Sequence, residues 1–112
     1  MAQLITKTLL NKIPRTRDIN NESLRDFSIM VHAKLCCNSV YYLIASVEVI
    51  SNDIIFLCYT IDTVSPSSGS WQYIAYSQFM SMINQYGLPL KRDIYFDKRS
   101  LMEVIKMDRL YV

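Results

Sequence analysis

Residues 40–64 read VYYLIASVEVISNDIIFLCYTIDTV, and the period of this stretch decides the fold. Tyr41, Leu43, Ala45, Val47 and Val49 alternate with Val40, Tyr42, Ile44, Ser46 and Glu48. Successive side chains of an extended strand point to opposite faces, and β-branched and aromatic residues suit that pleated surface, so a long strand is predicted. Ser51-Asn52-Asp53 supplies residues that tolerate left-handed backbone, and Ile54 to Val64 continues in strand-like composition through Phe56, Tyr59 and Ile61. The two runs are predicted to form an antiparallel hairpin.

On the N-terminal side, Asn38-Ser39 is a turn, and from Ser28 the period is again two. Ile29, Val31, Ala33 and Leu35 fall on one face, with Met30, His32, Lys34 and Cys36 on a wetter one. Residues 14–26 form a polar connector with no apolar face worth burying, relieved at most by a single turn after Asn20 or Asn21. Leu4, Ile5, Leu9, Leu10 and Ile13 recur at helical spacing, and Pro14 forbids continuation, so a short helix ends near Lys12.

On the C-terminal side, Ser65-Pro-Ser-Ser-Gly-Ser70 reads as a loop, and Trp71 to Tyr76 as a fourth strand. Ser77 is placed as the N-cap of a helix that Gly87 and Pro89 stop. Arg92 to Phe96 is a short last strand or extended segment, and Ser100-Leu-Met-Glu103 is a capping box opening a helix to about Met107. The order α-β-β-β-β-α-(β)-α predicts an α+β fold: an antiparallel, meander-like sheet of three to five strands, covered on one face by short helices.

The 112 residues, 51% of them apolar, fit a single domain over 1–112. Three unevenly spaced cysteines, two of them adjacent, favour buried free thiols in a reducing, cytoplasmic setting. No export signal is predicted, because the opening Met-Ala-Gln-Leu-Ile-Thr-Lys lacks a basic stretch followed by a long apolar core, and no membrane span, because the longest apolar runs elsewhere are broken by Ser46, Glu48 and Asp53. The net charge of +2 is unevenly spread: residues 1–25 hold five basic and two acidic side chains and residues 91–109 six and four, leaving Lys34 against four carboxylates between. If the ends meet, one surface is mildly basic.

The chemistry-bearing residues are sparse. His32 is the sole histidine, and Cys36 lies four residues along the same strand, roughly 13 Å away, which is beyond hydrogen-bond reach. Cys36, Cys37 and Cys58 lack the paired spacing of a zinc site. Asp93 and Asp97 are interleaved with Arg92 and Lys98, as in an ion-pair network, and Gly69 and Gly87 stand alone rather than in a phosphate-binding loop. No catalytic set, no metal and no cofactor is expected. Tyr41, Tyr42, Phe56, Tyr59, Trp71, Tyr73 and Tyr76 fall on predicted strands, where packing is the simpler role and stacking on nucleic-acid bases the alternative.

At Gly87-Leu-Pro-Leu-Lys-Arg-Asp-Ile-Tyr-Phe96 the chain resembles a family of small bacterial proteins of unknown function with a Gly-Leu-Pro-(Ile/Leu)-x-Arg-Asp-(Leu/Ile)-Tyr-Phe signature. Leu4-Ile5-Thr6-Lys7 through Ile13-Pro14, Ala33-Lys34 and Tyr76-Ser77-Gln78-Phe79 extend the resemblance, whereas Ser39-Val40-Tyr41-Tyr42 stands where the family has a tryptophan-rich strand. The resemblance implies a plasmid, conjugative-element or phage context, and no reaction. Physically, the signature stops a helix at Gly87, returns Ile94 and Phe96 to the core, and leaves Arg92 and Asp93 each needing a partner.

The expected function is a non-enzymatic interaction protein of a mobile element that binds a protein partner through its sheet face or edge, an inhibitor of host defence being one form of it. Its candidate binding residues are Lys91, Arg92, Lys98, Arg99, Trp71 and Tyr73. The alternative is a nucleic-acid-binding accessory protein using Lys7, Lys12, Arg15 and Arg17 with Lys91, Arg92, Lys98 and Arg99.

Overall fold

The computed structural model describes residues 4–107; the charges of Asp108 and Arg109 and the opening residues 1–3 lie outside them. The fold is α+β, as the sequence predicts. Along the chain run α1 (Lys7–Lys12), a 3-10 turn (Thr16–Asp18), α2 (Asn21–Asp26), β1 (Met30–Val31), β2 (Ala33–Cys37), β3 (Val40–Ile50), β4 (Asp53–Asp62), β5 (Ser65–Ala75), α3 (Tyr76–Asn84), β6 (Leu90–Arg92), β7 (Arg99–Ser100) and α4 (Leu101–Met107). Five strands form one open antiparallel sheet in the order β5-β4-β3-β2-β6, and β1 pairs with β7 separately.

The β3–β4 hairpin is the spine, paired from Val40↔Asp62 to Ile50↔Asp53. Asn38 and Ser51 take positive φ at the two predicted turns. Alternation along the hairpin feeds two separate cores. Ile44, Val47, Phe56 and Cys58 join Ala33, Leu35, Cys37, Phe79 and Leu90, with Leu9, Leu10, Met82 and Ile83 of α1 and α3 packed against them. Leu43, Ala45, Tyr59 and Ile61 point to the other side, where they meet Ile29, Val31 and α4 residues Leu101, Val104 and Ile105, with Ile19, Leu24 and Phe27 alongside. Helices therefore lie on both faces, beyond the single helical face read from the sequence. The reason is that β3 and β4 are apolar on both sides, and each such side chain contributes about 1.5–3 kcal/mol when buried.

The chain reaches the second face by crossing the edge of β3. The Val47 N–H donates to the Pro14 carbonyl at 2.9 Å, and Arg15 bridges in parallel to Val47. A bulge between Ile44 and Ser46 leaves both Ala45 and Ser46 on the second side. The buried Ser46 hydroxyl is thereby satisfied by the Thr16 hydroxyl at 2.9 Å. The connector is thus less featureless than its composition predicts.

A second crossing breaks the first predicted strand. Ile29 and Val31 lie in the second core while Ala33 and Leu35 lie in the first, so the four do not share one face. The break falls at His32, whose N–H still donates to the Ile44 carbonyl at 2.8 Å.

Ser65–Ser70 is also not a loop. The turn is Thr63–Val64, held by the Asp62 carboxylate accepting from the Val64 N–H at 3.0 Å, and the serine run belongs to β5. Four residues oppose one there, since Thr60 pairs with Ser70 and Asp62 with Ser65. Gly69 permits this: a Cβ at this position would lie 2.7 Å from Tyr59 Cζ. The Tyr59 ring cannot yield, because Phe27 and Trp71 each hold it edge-on at 5.3 Å between centroids.

At α3 the predicted cap is replaced. The N-cap is Ala75, whose N–H donates to Gln78 Oε1 at 2.7 Å, and Ser77 instead donates its hydroxyl to Asp53 Oδ2 at 2.6 Å. The cap comes from the β3–β4 turn, which no local pattern announces. Gly87, at φ +62°, ends this helical segment as predicted; at the start of α4 the Ser100 hydroxyl accepts from the Glu103 N–H at 3.2 Å as expected, but it also donates to Glu103 Oε1 at 3.1 Å, so the Glu103 carboxylate meets the hydroxyl in place of the backbone N–H of a full capping box.

Gly69→Ala should destabilise the protein by about 1–3 kcal/mol in urea unfolding, the cost of overpacking against a pinned ring. Hydrogen bonds from Ser77 and Ile54 hold the Asp53 carboxyl below its usual range. A depressed folded-state value stabilises above the unfolded carboxylate pKa and is lost as pH falls through the folded one. Asp53→Asn should therefore lower Tm at neutral pH, with the two melting curves converging in acid.

Candidate functional site

With both faces of the sheet covered, the edges are what the sheet still offers. The β6 edge is only three residues long, follows Pro89 and carries Lys91 and Arg92, all features that discourage further pairing. The β5 edge differs. Its regular part, Ser70–Ala75, contains no charge and no proline, and no strand pairs with its outer side among the described residues.

Two hydrogen bonds fix which groups point outward. The Ala75 N–H is taken by Gln78 rather than by β4, so the backbone of residue 75 faces away from the sheet. Independently, the Ile44 carbonyl accepts from His32 and so faces β2, which turns the backbone of its β4 partner Cys58 toward Gln72. Both place the N–H and C=O of Trp71 and Tyr73 outward and those of Gln72 and Ile74 toward β4.

The six candidate residues do not form one surface. The Trp71 indole donates to the Leu24 carbonyl at 3.3 Å and packs on Tyr59, so it ties α2 to the sheet, whereas Tyr73 is 64% exposed. Lys91 is exposed on β6. Arg92 is half-buried, and its Nε is buried without a hydrogen-bond partner among the described residues. Lys98 is exposed, and Arg99 lies 5.5 Å from the Phe96 ring and donates to the Asp97 carbonyl at 3.1 Å. Asp93 has a structural partner, Lys34, at 3.8 Å.

The signature segment departs from its sequence reading in its path and at Ile94: the strand is Leu90–Arg92, and residues 93–96 turn where an extended run to Phe96 is expected. Phe96 packs on the second core, but Ile94 is 67% exposed and Tyr95 86% exposed. A turn causes this: the Asp93 carboxylate accepts from the Tyr95 N–H at 3.0 Å and its carbonyl from the Phe96 N–H at 3.2 Å, throwing the intervening side chains outward.

Of the aromatics read as strand residues, Tyr42 packs edge-on against Phe79, Tyr76 opens α3 instead and lies tilted against Phe56, and Tyr73 is the exposed one. Burial pushes the Cys58 thiol up to about 12, so it is held as the un-ionised thiol. His32 is half-buried, and its imidazolium is disfavoured first by burial and then by the charge of Lys98. Among the described residues no three His, Cys, Asp or Glu side chains gather as a metal-binding group, and no helix is long and apolar enough to cross a membrane.

Two features escape the sequence. The open β5 edge is hidden because its serines resemble a loop, and the hollow that Lys12, His32 and Lys98 line together joins residues remote in the chain. The uneven charge of the two ends is the only signal of the second. Comparison with protein-family models, curated proteins and solved structures finds no match to this chain.

In native-state hydrogen exchange of the isolated protein, the Trp71 and Tyr73 amides should exchange fast and those of Gln72 and Ile74 slowly. Equal protection along Ser70–Ile74 would mean that the β5 edge is already covered.

Proposed function

We propose that this protein is a non-enzymatic interaction module that binds a protein partner by accepting an extended, uncharged segment of it along the β5 edge. The observation that carries the proposal is the unpaired outer side of Ser70–Ile74, at the sheet edge opposite the guarded β6. Strand addition draws its affinity from main-chain hydrogen bonds and its selectivity from side chains flanking the edge. The outward N–H and C=O of Trp71 and Tyr73 supply the first, and the exposed Tyr73 ring supplies the second. The absence of charge on this stretch favours a neutral segment over a basic or acidic one.

The resemblance of residues 87–96 adds a mobile-element setting, in which a strand-binding inhibitor of a host protein is one form this module takes. The nucleic-acid alternative has narrower support, since only Tyr73 of the strand aromatics is broadly exposed and the basic candidates are scattered.

The test is Tyr73→Pro, which deletes an outward N–H without removing a β4–β5 ladder bond. The variant should keep its circular dichroism and lose about tenfold or more in affinity for any partner recovered with the wild-type protein. Affinity unchanged in the folded variant would overturn the proposal.

A further inference from the structure

One lysine from each basic end of the chain, Lys12 and Lys98, lines a common hollow. The end of α1 brings Leu9 and Lys12, the break between β1 and β2 brings His32, and the segment entering β7 brings Phe96, Asp97 and Lys98, around a volume of about 480 Å3. That size suits a small organic ligand and exceeds what an inorganic anion fills. The wall is divided by chemistry. Leu9 and Phe96 are apolar, while Lys12 and Lys98 have no carboxylate at ion-pair distance among the described residues.

We propose that this hollow binds a small phosphate monoester with a planar body, of the nucleoside monophosphate class, its phosphate on Lys12 and Lys98 and its ring along Phe96. Asp97 stands on the same wall and repels anions, so a single negative charge gains little there, whereas a phosphate near its second ionisation carries enough charge to prevail. The Phe96 ring is restrained for the task by Arg99, 5.5 Å away. A long polynucleotide fits less well. On the far side of His32 the adjoining hollow is lined by Asp18, Asn20, Ser23 and Ser28 among others, with no lysine or arginine to continue the phosphate track.

His32 reports on occupancy. It faces Lys12, Asp97 and Lys98 on one side and Asp18 on the other, and burial and Lys98 together disfavour its protonation in the free protein. A phosphate placed between the lysines reverses the sign of the nearest field and favours the imidazolium. Because the chain has one histidine, its ring protons are unambiguous in a proton NMR titration.

The experiment titrates the full chain with adenosine 5′-monophosphate, adenosine, inorganic phosphate and a short single-stranded oligonucleotide, following the His32 ring and the binding heat. Saturable monophosphate binding is expected, with the His32 pKa raised, adenosine silent, and Lys12→Gln and Lys98→Gln each costing about tenfold while Tm stays unchanged. No saturable monophosphate binding up to about 10 mM, near the weak limit of specific affinity, overturns the proposal. So does binding that is insensitive to both lysine variants. Equal affinity for inorganic phosphate overturns the assignment of an organic ligand, and binding of the oligonucleotide without the monophosphate overturns it in favour of a polynucleotide.

Discussion

A hairpin that is apolar on both faces is the constraint from which the rest of the structure follows. Leu43 and Tyr59 point one way, Ile44 and Phe56 the other, and neither side can be left in water. With few residues outside the sheet, the chain covers each side with pieces of helix only six to nine residues long. Helices this short are not stable alone, so they depend on the sheet for their existence as much as the sheet depends on them for cover. The bulge at Ala45 and Ser46 makes this economy workable. It turns two successive side chains to the same side and lets the Pro14–Thr16 segment wrap the edge of β3 while leaving the Ser46 hydroxyl paired.

Much of this was legible where a local rule is strong. The two-residue period of β4, the turns at Asn38 and Ser51, the positive φ at Gly87 and the Ser100 cap depend on neighbours in sequence and occur as the residues indicate, whereas the single-face row from Tyr41 to Val49 does not, because the bulge after Ile44 puts Leu43 and Ala45 in one core and Val47 in the other. What was not legible depends on distant partners. Nothing local distinguishes Ser65–Ser70 from a loop; only the Tyr59 ring, pinned by Phe27 and Trp71, draws Gly69 into a strand. Ser77 carries a good capping side chain, yet Asp53 from another turn decides its role. His32 sits in an uninterrupted two-residue pattern, and the pattern does not disclose that the chain changes faces there.

The candidate sites show the same division. Tyr73 was identifiable as a strand aromatic, but its exposure, and the inward role of Trp71, follow from where α2 stops covering the sheet. Arg92 and Asp93 look alike as a charged pair in the signature segment, and only the fold separates Asp93, which meets Lys34, from Arg92, whose Nε lacks a partner among the described residues. Both the open edge and the basic hollow lie at the margins of a cover stretched thin. The candidate surfaces are places where short helices run out.

The crossing at Pro14 also has a consequence for how the molecule is made. During synthesis the Pro14–Thr16 segment precedes its partners, for the Val47 amide and the Ser46 hydroxyl that receive it are encoded some thirty residues later. The helix at the other end completes the opposite core with Leu101, Val104 and Ile105, among the last described residues to emerge. The Pro14–Thr16 segment thus has nowhere to dock until Ser46 and Val47 have followed it, a non-local contact whose loop must close before it stabilises anything.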